Sequence, residues 1–326
     1  MLLKHHYYLI SSLLALTSLA ILFSLVSGSA QISIDQIMSH FASPETGLTS
    51  QILNEIRIPR TLAGFVVGSL LAMSGVAMQV LLRNPLADPY ILGVSGGAAV
   101  GALSGILLGV SSFLLVNFAF AGALVSTLIV FGISSRFGNW SVIRLLLTGV
   151  VVSAGWGALI NLFLTTSPSS SVQSMLFWLM GDLSQSRTNL GHFVLIATGL
   201  IGGMKIARSL NVLSRGDLLA VSLGVNISLL RVFLYFSASL FTAVAVTTGG
   251  SIGFVGLVTP HILRMLGARD HRVLIPASAL LGGSIVIIGD TLARTILAPQ
   301  QLPVGVFTAI IGVPCFLFIL NSSGRK

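Results

Sequence analysis

Charge is what this sequence has least of: Asp, Glu, Lys and Arg make up 8% of its 326 residues, against 54% hydrophobic residues. A soluble domain carries about 25% charged residues to keep its surface in water. With a mean hydropathy of +1.00, the composition excludes a soluble enzyme, a disordered scaffold and a nucleic-acid binder, and leaves an integral membrane protein. Cysteine is nearly missing. Cys315 stands alone in the last apolar run, which excludes an intramolecular disulfide framework and a Cys-based metal site. There is no G-x-x-x-x-G-K-[ST] phosphate loop, no Gly-Lys dipeptide at all and no H-E-x-x-H. The six histidines show no metal-ligand spacing beyond the terminal pair His5–His6. These absences point to a chain with no catalytic residues, no cofactor and no metal of its own. Buried acids are scarce as well: Asp290 alone sits well inside an apolar run, with Arg294 four residues on, where the two meet on one helix face. A proton-coupled carrier buries several unpaired acids, so the energy for uphill transport is assigned to a separate subunit.

What is present is a series of apolar runs. At about 20 residues per helical span, the chain holds roughly ten, expected at 7–28, 61–82, 90–110, 113–134, 143–165, 190–208, 229–248, 252–266, 273–298 and 304–322. The first run, behind Lys4, is read as a retained span rather than a signal peptide, because it is long enough to cross and many spans follow it. The eighth is short and contains Pro260, and charge decides its status. Cytoplasmic loops collect Lys and Arg. With ten spans and both termini inside, 13 of the basic residues fall inside and 4 (Arg57, Arg60, Arg187, Arg294) outside. If the eighth run fails to cross, the split becomes 9 against 8 and the asymmetry disappears. The expected fold class is therefore an all-α polytopic bundle of about ten transmembrane helices forming a single domain over 1–326.

Three segments are longer than turns. Residues 29–56 on the outside contain Asp35, Pro44, Glu45 and Glu55; residues 166–189 contain a serine run and then Met175–Met180, expected as a short surface helix. The inner segment 209–228 is amphipathic at helical spacing, and Gly216 and Gly224 divide it into two short helices. A plain loop would be shorter and more polar, so a partner is expected to pack on it. Gly75 and Gly249–Gly250 fall at comparable places in two four-span halves, which hints at an internal repeat.

Several stretches depart from plain apolar helix. Gly64, Gly68, Gly75, Gly93, Gly96, Gly97, Gly101 and Gly105 crowd spans two and three, as close helix packing requires or as the lining of a wide path requires. Arg57-Ile58-Pro59-Arg60 puts two arginines at the outer face against the charge bias, with Arg294 as a third. Such cations suit lipid phosphate or the carboxylates of an acidic partner. The prolines of Asn84-Pro85-Leu86-Ala87-Asp88-Pro89 force a rigid turn at the inner end of span two. Four glycines between Gly249 and Gly256 disfavour helix and point to a re-entrant turn before a thin short helix. His261, at the end of that helix, is read as a polar helix-end group rather than a ligand.

These residues resemble a known family. I-R-x-P-R-x-L at Ile56–Leu62, G-x-x-M-Q-x-x-x-R-N-P-L-A-D-P at Gly75–Pro89, G-x-I-G-F-V-G-L-V-x-P-H-I-x-R at Gly250–Arg264 and D-x-x-A-R at Asp290–Arg294 are similar to the permease subunits of binding-protein-dependent ABC importers for iron–siderophore, haem and cobalamin. The resemblance covers nearly the whole chain. It implies the type II ABC importer permease fold in a bacterial inner (plasma) membrane, a homodimer (or a heterodimer with a related permease) with the path at its interface, two cytoplasmic ATP-binding subunits, and a periplasmic or lipid-anchored binding protein. By the same resemblance, Arg57, Arg60 and Arg294 receive acidic residues of the binding protein. Arg215, Gly216, Asp217, Leu223 and Gly224 belong to the ATPase-coupling helices, with Asp217 where the family often has Glu. Asn84 and Leu86, with Ser141 and Val142, lie at a cytoplasmic gate. The implied cargo is an iron–siderophore chelate, with cobalamin or haem as the alternative. An ion-coupled secondary transporter and a receptor without transport remain as rivals.

Overall fold

The structure, a computed structural model, describes residues 2–28, 30, 32–42, 47–135, 141–298 and 300–323. Pro44, Glu45, Arg136, Asn139, Trp140, Arg325 and Lys326, singled out in the sequence, lie outside that set. Among the described residues all regular structure is helical. In chain order the helices are α1 (Leu2–Val26), α2 (Ile34–Ala42), α3 (Leu48–Gln51), α4 (Ile58–Leu81), α5 (Val94–Leu107), α6 (Ser112–Ser135) and α7 (Val142–Thr166). They continue with α8 (Ser169–Met180), α9 (Leu190–Leu213), α10 (Asp217–Ser222), α11 (Ile227–Gly249), α12 (Val255–Met265), α13 (His271–Thr295) and α14 (Val304–Ser323). A π-helical stretch, Ile52–Arg57, joins α3 to α4, and a 3-10 turn, Pro89–Leu92, precedes α5.

Each of the ten expected spans has its helix, with ends displaced by a few residues. Seven are long and apolar enough to cross a membrane alone. α5 and α12 are short, with 14 and 11 residues. The eleven residues of α12 rise about 16 Å, roughly half the 30 Å of a bilayer core, and the non-helical stretch 250–254 precedes them.

α4 is the axle of the bundle. It is buried along nearly its whole length, chiefly by α13, α11, α12 and α9. Small residues make that possible. A Cβ on Gly68 would collide with the backbone of Gly282 and Gly283 on α13, and one on Gly75 with the backbone of Gly256 on α12. Between helices in lipid the attraction is mainly van der Waals contact, which close backbone approach increases. The glycines of α4 therefore serve packing, not the lining of a path. α1 runs along α13, where Thr17 and Ser284 share a 2.9 Å hydrogen bond. Little of α7 and α9, by contrast, is fully buried.

Candidate functional site

The arginines at the outer end are turned inward. Arg57, Arg60 and Arg294 are 2%, 6% and 9% exposed. Arg57 donates to the carbonyls of Leu25 (2.5 Å), Val26 (2.9 Å) and Ala30, and Arg294 to the carbonyl of Ser24 (2.5 Å) and its hydroxyl (3.1 Å). Those of Ser24, Leu25 and Val26 are the last carbonyls of α1, the negative end of its dipole, where cations are favoured; Ala30 follows it. Arg60 grips both oxygens of Asp290 through Nε and Nη2 and reaches Gln301 at 2.9 Å. The expected Asp290–Arg294 contact exists at 3.9 Å and is the lesser one. The three arginines proposed for docking thus stand in a buried polar knot that ties α1, α4 and α13 together. The pairing costs less than leaving four charges unpaired in an apolar bundle.

Halfway through the bundle two irregular segments meet. Gly93 and Gly250 adopt left-handed φ of 75° and 70°, and Phe254 does so at 69°, which breaks the chain ahead of α5 and of α12. Broken segments leave backbone groups without helical partners, and inside a membrane those must be satisfied by protein. Tyr90 does this: its hydroxyl donates to the Ile252 carbonyl at 2.9 Å and accepts from the Ile252 N–H at 3.0 Å. Asp88 caps the 3-10 turn by accepting from the Tyr90 N–H at 2.7 Å. Beside the junction lies a cavity of about 530 Å³ lined by Asp88, Tyr90, Ile91, Gly253, Phe254 and, from α7, Val150 and Ser153. Tyr90 and Ser153 were not singled out in the sequence; a tyrosine directly behind a double-proline turn was the available signal.

At the arginine-rich end, the inner end by the charge rule, Asn84 forms a tight turn by accepting from the Leu86 N–H at 2.9 Å. Ser141 sits at the N-terminus of α7 with extended backbone, and Val142 begins the helix. No hydrogen bond joins the two pairs among the described residues. At the segment expected to couple to a partner, α9 runs on to Leu213, so 209–228 holds one short helix, α10, and not two. Gly216 (φ 130°) and Gly224 (φ 76°) bound it. Leu218 is 90% exposed, with Val221, Leu223 and Leu219 exposed beside it, and Arg215 is exposed just ahead. Asp217, half-buried, pairs inward: its carboxylate takes Arg231 of α11 at 2.8 Å and Arg83, past the end of α4, at 3.5 Å. Nearby, burial works to raise the pKa of Asp270, but the Asn211 amide, the Arg272 N–H and the charges of Arg272 and His271 outweigh it and hold the carboxyl below its ordinary value.

Comparison with known proteins adds a frame to this geometry. Residues 16–322 match the FecCD transport family. The cobalamin import system permease protein BtuC of Halobacterium salinarum is 41% identical over 286 residues, 86% of this chain and 76% of that protein. The vitamin B12 import system permease protein BtuC of Escherichia coli is 39% identical over 311 residues, 94% and 93% of the two chains. A solved structure described as an inward-facing conformation of a metal-chelate type ABC transporter superposes with a TM-score of 0.85 at 30% identity, over 96% of this chain and 98% of that one. PsaBC from Streptococcus pneumoniae, in complex with Fab, matches with a TM-score of 0.56 at 18% identity, over 82% and 92%, and shares the fold alone.

Proposed function

Because this chain belongs to the FecCD transport family, a family of multi-pass ABC importer permeases whose ATP hydrolysis lies in partner subunits, we propose that its cargo is a corrinoid of the cobalamin class. The iron–siderophore expectation gives way to its alternative, since the relatives at 39–41% identity carry cobalamin or vitamin B12 in their names. The chain makes and breaks no bonds. Its task is to open a path for a bulky cargo at one end while closing it at the other.

The open pocket at the Tyr90–Ile252 junction supports a path there. It opens beside α7, whose exposed side combines Ala154, Gly155 and Ala158 with Asn161 and Thr165. An asparagine amide has no partner in hydrocarbon, and small residues mark faces where helices approach. A second copy of the chain (or a related permease) covers that face, and the path runs between the two. Both termini lie in the cytoplasm under the charge rule. The ATPase subunits seat on the apolar face of α10. Its Asp217 passes their motion to α11 and α4, and the turn at Asn84 and Leu86 with Ser141 and Val142 forms the inner gate. The binding protein reaches Arg60 only by displacing Asp290, so its docking and the outer knot are mutually exclusive states.

Reconstitution tests this. Liposomes holding the chain with its ATPase subunit and binding protein are expected to accumulate labelled cyanocobalamin with ATP and to take up a ferric siderophore far more slowly. Uptake by the chain alone under a proton gradient, without nucleotide, would overturn the mechanism. The reverse cargo preference would overturn the substrate.

A further inference from the structure

Two clefts on the flank of the bundle share their walls. One is an apolar groove of about 240 Å³ between α4, α9 and α11. The other, of about 740 Å³, lies at the inner end. Three helices pass from one to the other within a turn: Ala77 and Val80 on α4, Leu210 and Asn211 on α9, Ile275 and His271 on α13. Three glycines of α9, Gly199, Gly202 and Gly203, line the groove: a Cβ on Gly199 or Gly203 would press on Met73, Phe241 or Ile275, whereas one on Gly202 meets nothing within 4 Å and leaves the groove its space. From Leu195 to Leu210 it follows about 22 Å of helix, longer than the roughly 15 Å depth of one leaflet's hydrocarbon. Little of α9 is fully buried, and the groove is open along its flank.

The inner cleft has the opposite chemistry. Arg83, Arg208, Arg215, Arg264 and Arg269 stand on its walls against one acid, Asp270. That carboxylate already accepts from the Asn211 amide and the Arg272 N–H. Arg83 shares Asp217, and Arg264 donates to Gln79. Arg208, Arg215 and Arg269 have no ion-pair partner among the described residues.

We propose that this composite cleft holds one anionic glycerophospholipid of the inner leaflet, an acyl chain in the glycine-lined groove and its phosphodiester among the arginines. A free phosphate or an acidic segment of the ATPase would satisfy the arginines and leave the groove unused. A lipid matches both, and basic pockets between spans at the cytoplasmic face select anionic headgroups. Such a lipid would touch Arg215 and Leu219 of the coupling segment, which makes coupling sensitive to membrane composition.

Native mass spectrometry of the assembled transporter, titrated with phosphatidylglycerol or phosphatidylcholine, reads the site without any transport step, so its outcome is independent of the cargo. Phosphatidylglycerol is expected to be retained and phosphatidylcholine to wash off. Arg208→Gln with Arg269→Gln should weaken phosphatidylglycerol binding roughly fivefold per arginine. Gly202→Leu, which fills the groove, should weaken it comparably with the arginines intact, and Ser237→Leu fills the same groove from α11 should that variant fail to fold. Equal binding of the two lipids overturns the proposal, as does displacement of the lipid by inorganic phosphate at equal concentration. Weakening by the arginine variant but by neither groove variant also overturns it. So does loss of the ATPase subunit from the arginine variant with lipid binding unchanged, which would assign the cleft to an acidic protein segment.

Discussion

Arg60 and Asp290 stand 230 residues apart in the chain and meet in a two-oxygen grip with both side chains buried. Removing one partner of such a pair leaves an uncompensated charge in an apolar bundle, which costs about 3–5 kcal/mol. Asp290→Asn is therefore expected to lower the stability of the purified chain by about 3 kcal/mol, read as a fall in its melting temperature in detergent. Arg60→Met combined with Asp290→Leu should recover most of that loss, because neither charge then remains. A double variant no more stable than Asp290→Asn would mean that the contact is incidental. The sequence showed Asp290 near Arg294 because the two are one helical turn apart. Arg60 as the main partner was illegible, since the pairing needs α4 already packed on α13. The same holds for Arg57 and Arg294, whose contacts with the last carbonyls of α1 need α1 already packed beside α4 and α13.

At the scale of helices, apolar length carried the information. Ten runs gave ten helices because a bilayer core demands a fixed length of hydrocarbon-compatible helix, and the charge tally rescued α12, whose run is too short to be convincing alone. What the runs could not show is depth. That α5 and α12 begin partway through the bundle follows from Gly93, Gly250 and Phe254 taking left-handed backbone, and from Tyr90 closing the gap between segments 162 residues apart. The two-helix expectation for 209–228 failed because α9 keeps its hydrogen bonding to Leu213 before Ser214 and Gly216 end it. Glycine roles were legible in kind and not in place. Gly75→Ala is expected to force α4 off α12 and cost about 1–3 kcal/mol, since the colliding atoms are backbone. Gly132→Ala on α6, where nothing lies within 4 Å, should be neutral or slightly stabilising through helix propensity, by less than about 1 kcal/mol. Thermal unfolding of the two variants side by side distinguishes packing glycines from bystanders; equal shifts would refute the assignment.

For the whole molecule, the question is how motion at one end reaches the other. α10 has two separable sides. Its outward side, led by Leu218 and Val221, is bare apolar surface; its inward side is one carboxylate, Asp217, shared by Arg231 of α11 and Arg83 at the end of α4. Through Arg83, Asp217 is tied to the end of α4, which packs on α13, α11, α12 and α9; on the proposed function this is the route by which a displacement at α10 reaches the bundle. The two sides predict two different failures. Leu218→Asp with Val221→Asp should abolish copurification of the ATPase subunit, and with it uptake, while leaving the chain's own stability within about 0.5 kcal/mol because the changed groups are exposed. Asp217→Asn leaves the apolar side intact, so the ATPase should still copurify and hydrolyse ATP. The neutral amide no longer holds Arg231 and Arg83 by charge, so the lever slips and uptake per ATP hydrolysed should fall about tenfold, within the range of ordinary coupling free energies. Asp217→Glu keeps the charge and should restore most of the coupling. If Asp217→Asn lost the ATPase as completely as the Leu218 variant, Asp217 would belong to the docking surface, and the transmission route through α4 and α11 would have to be abandoned.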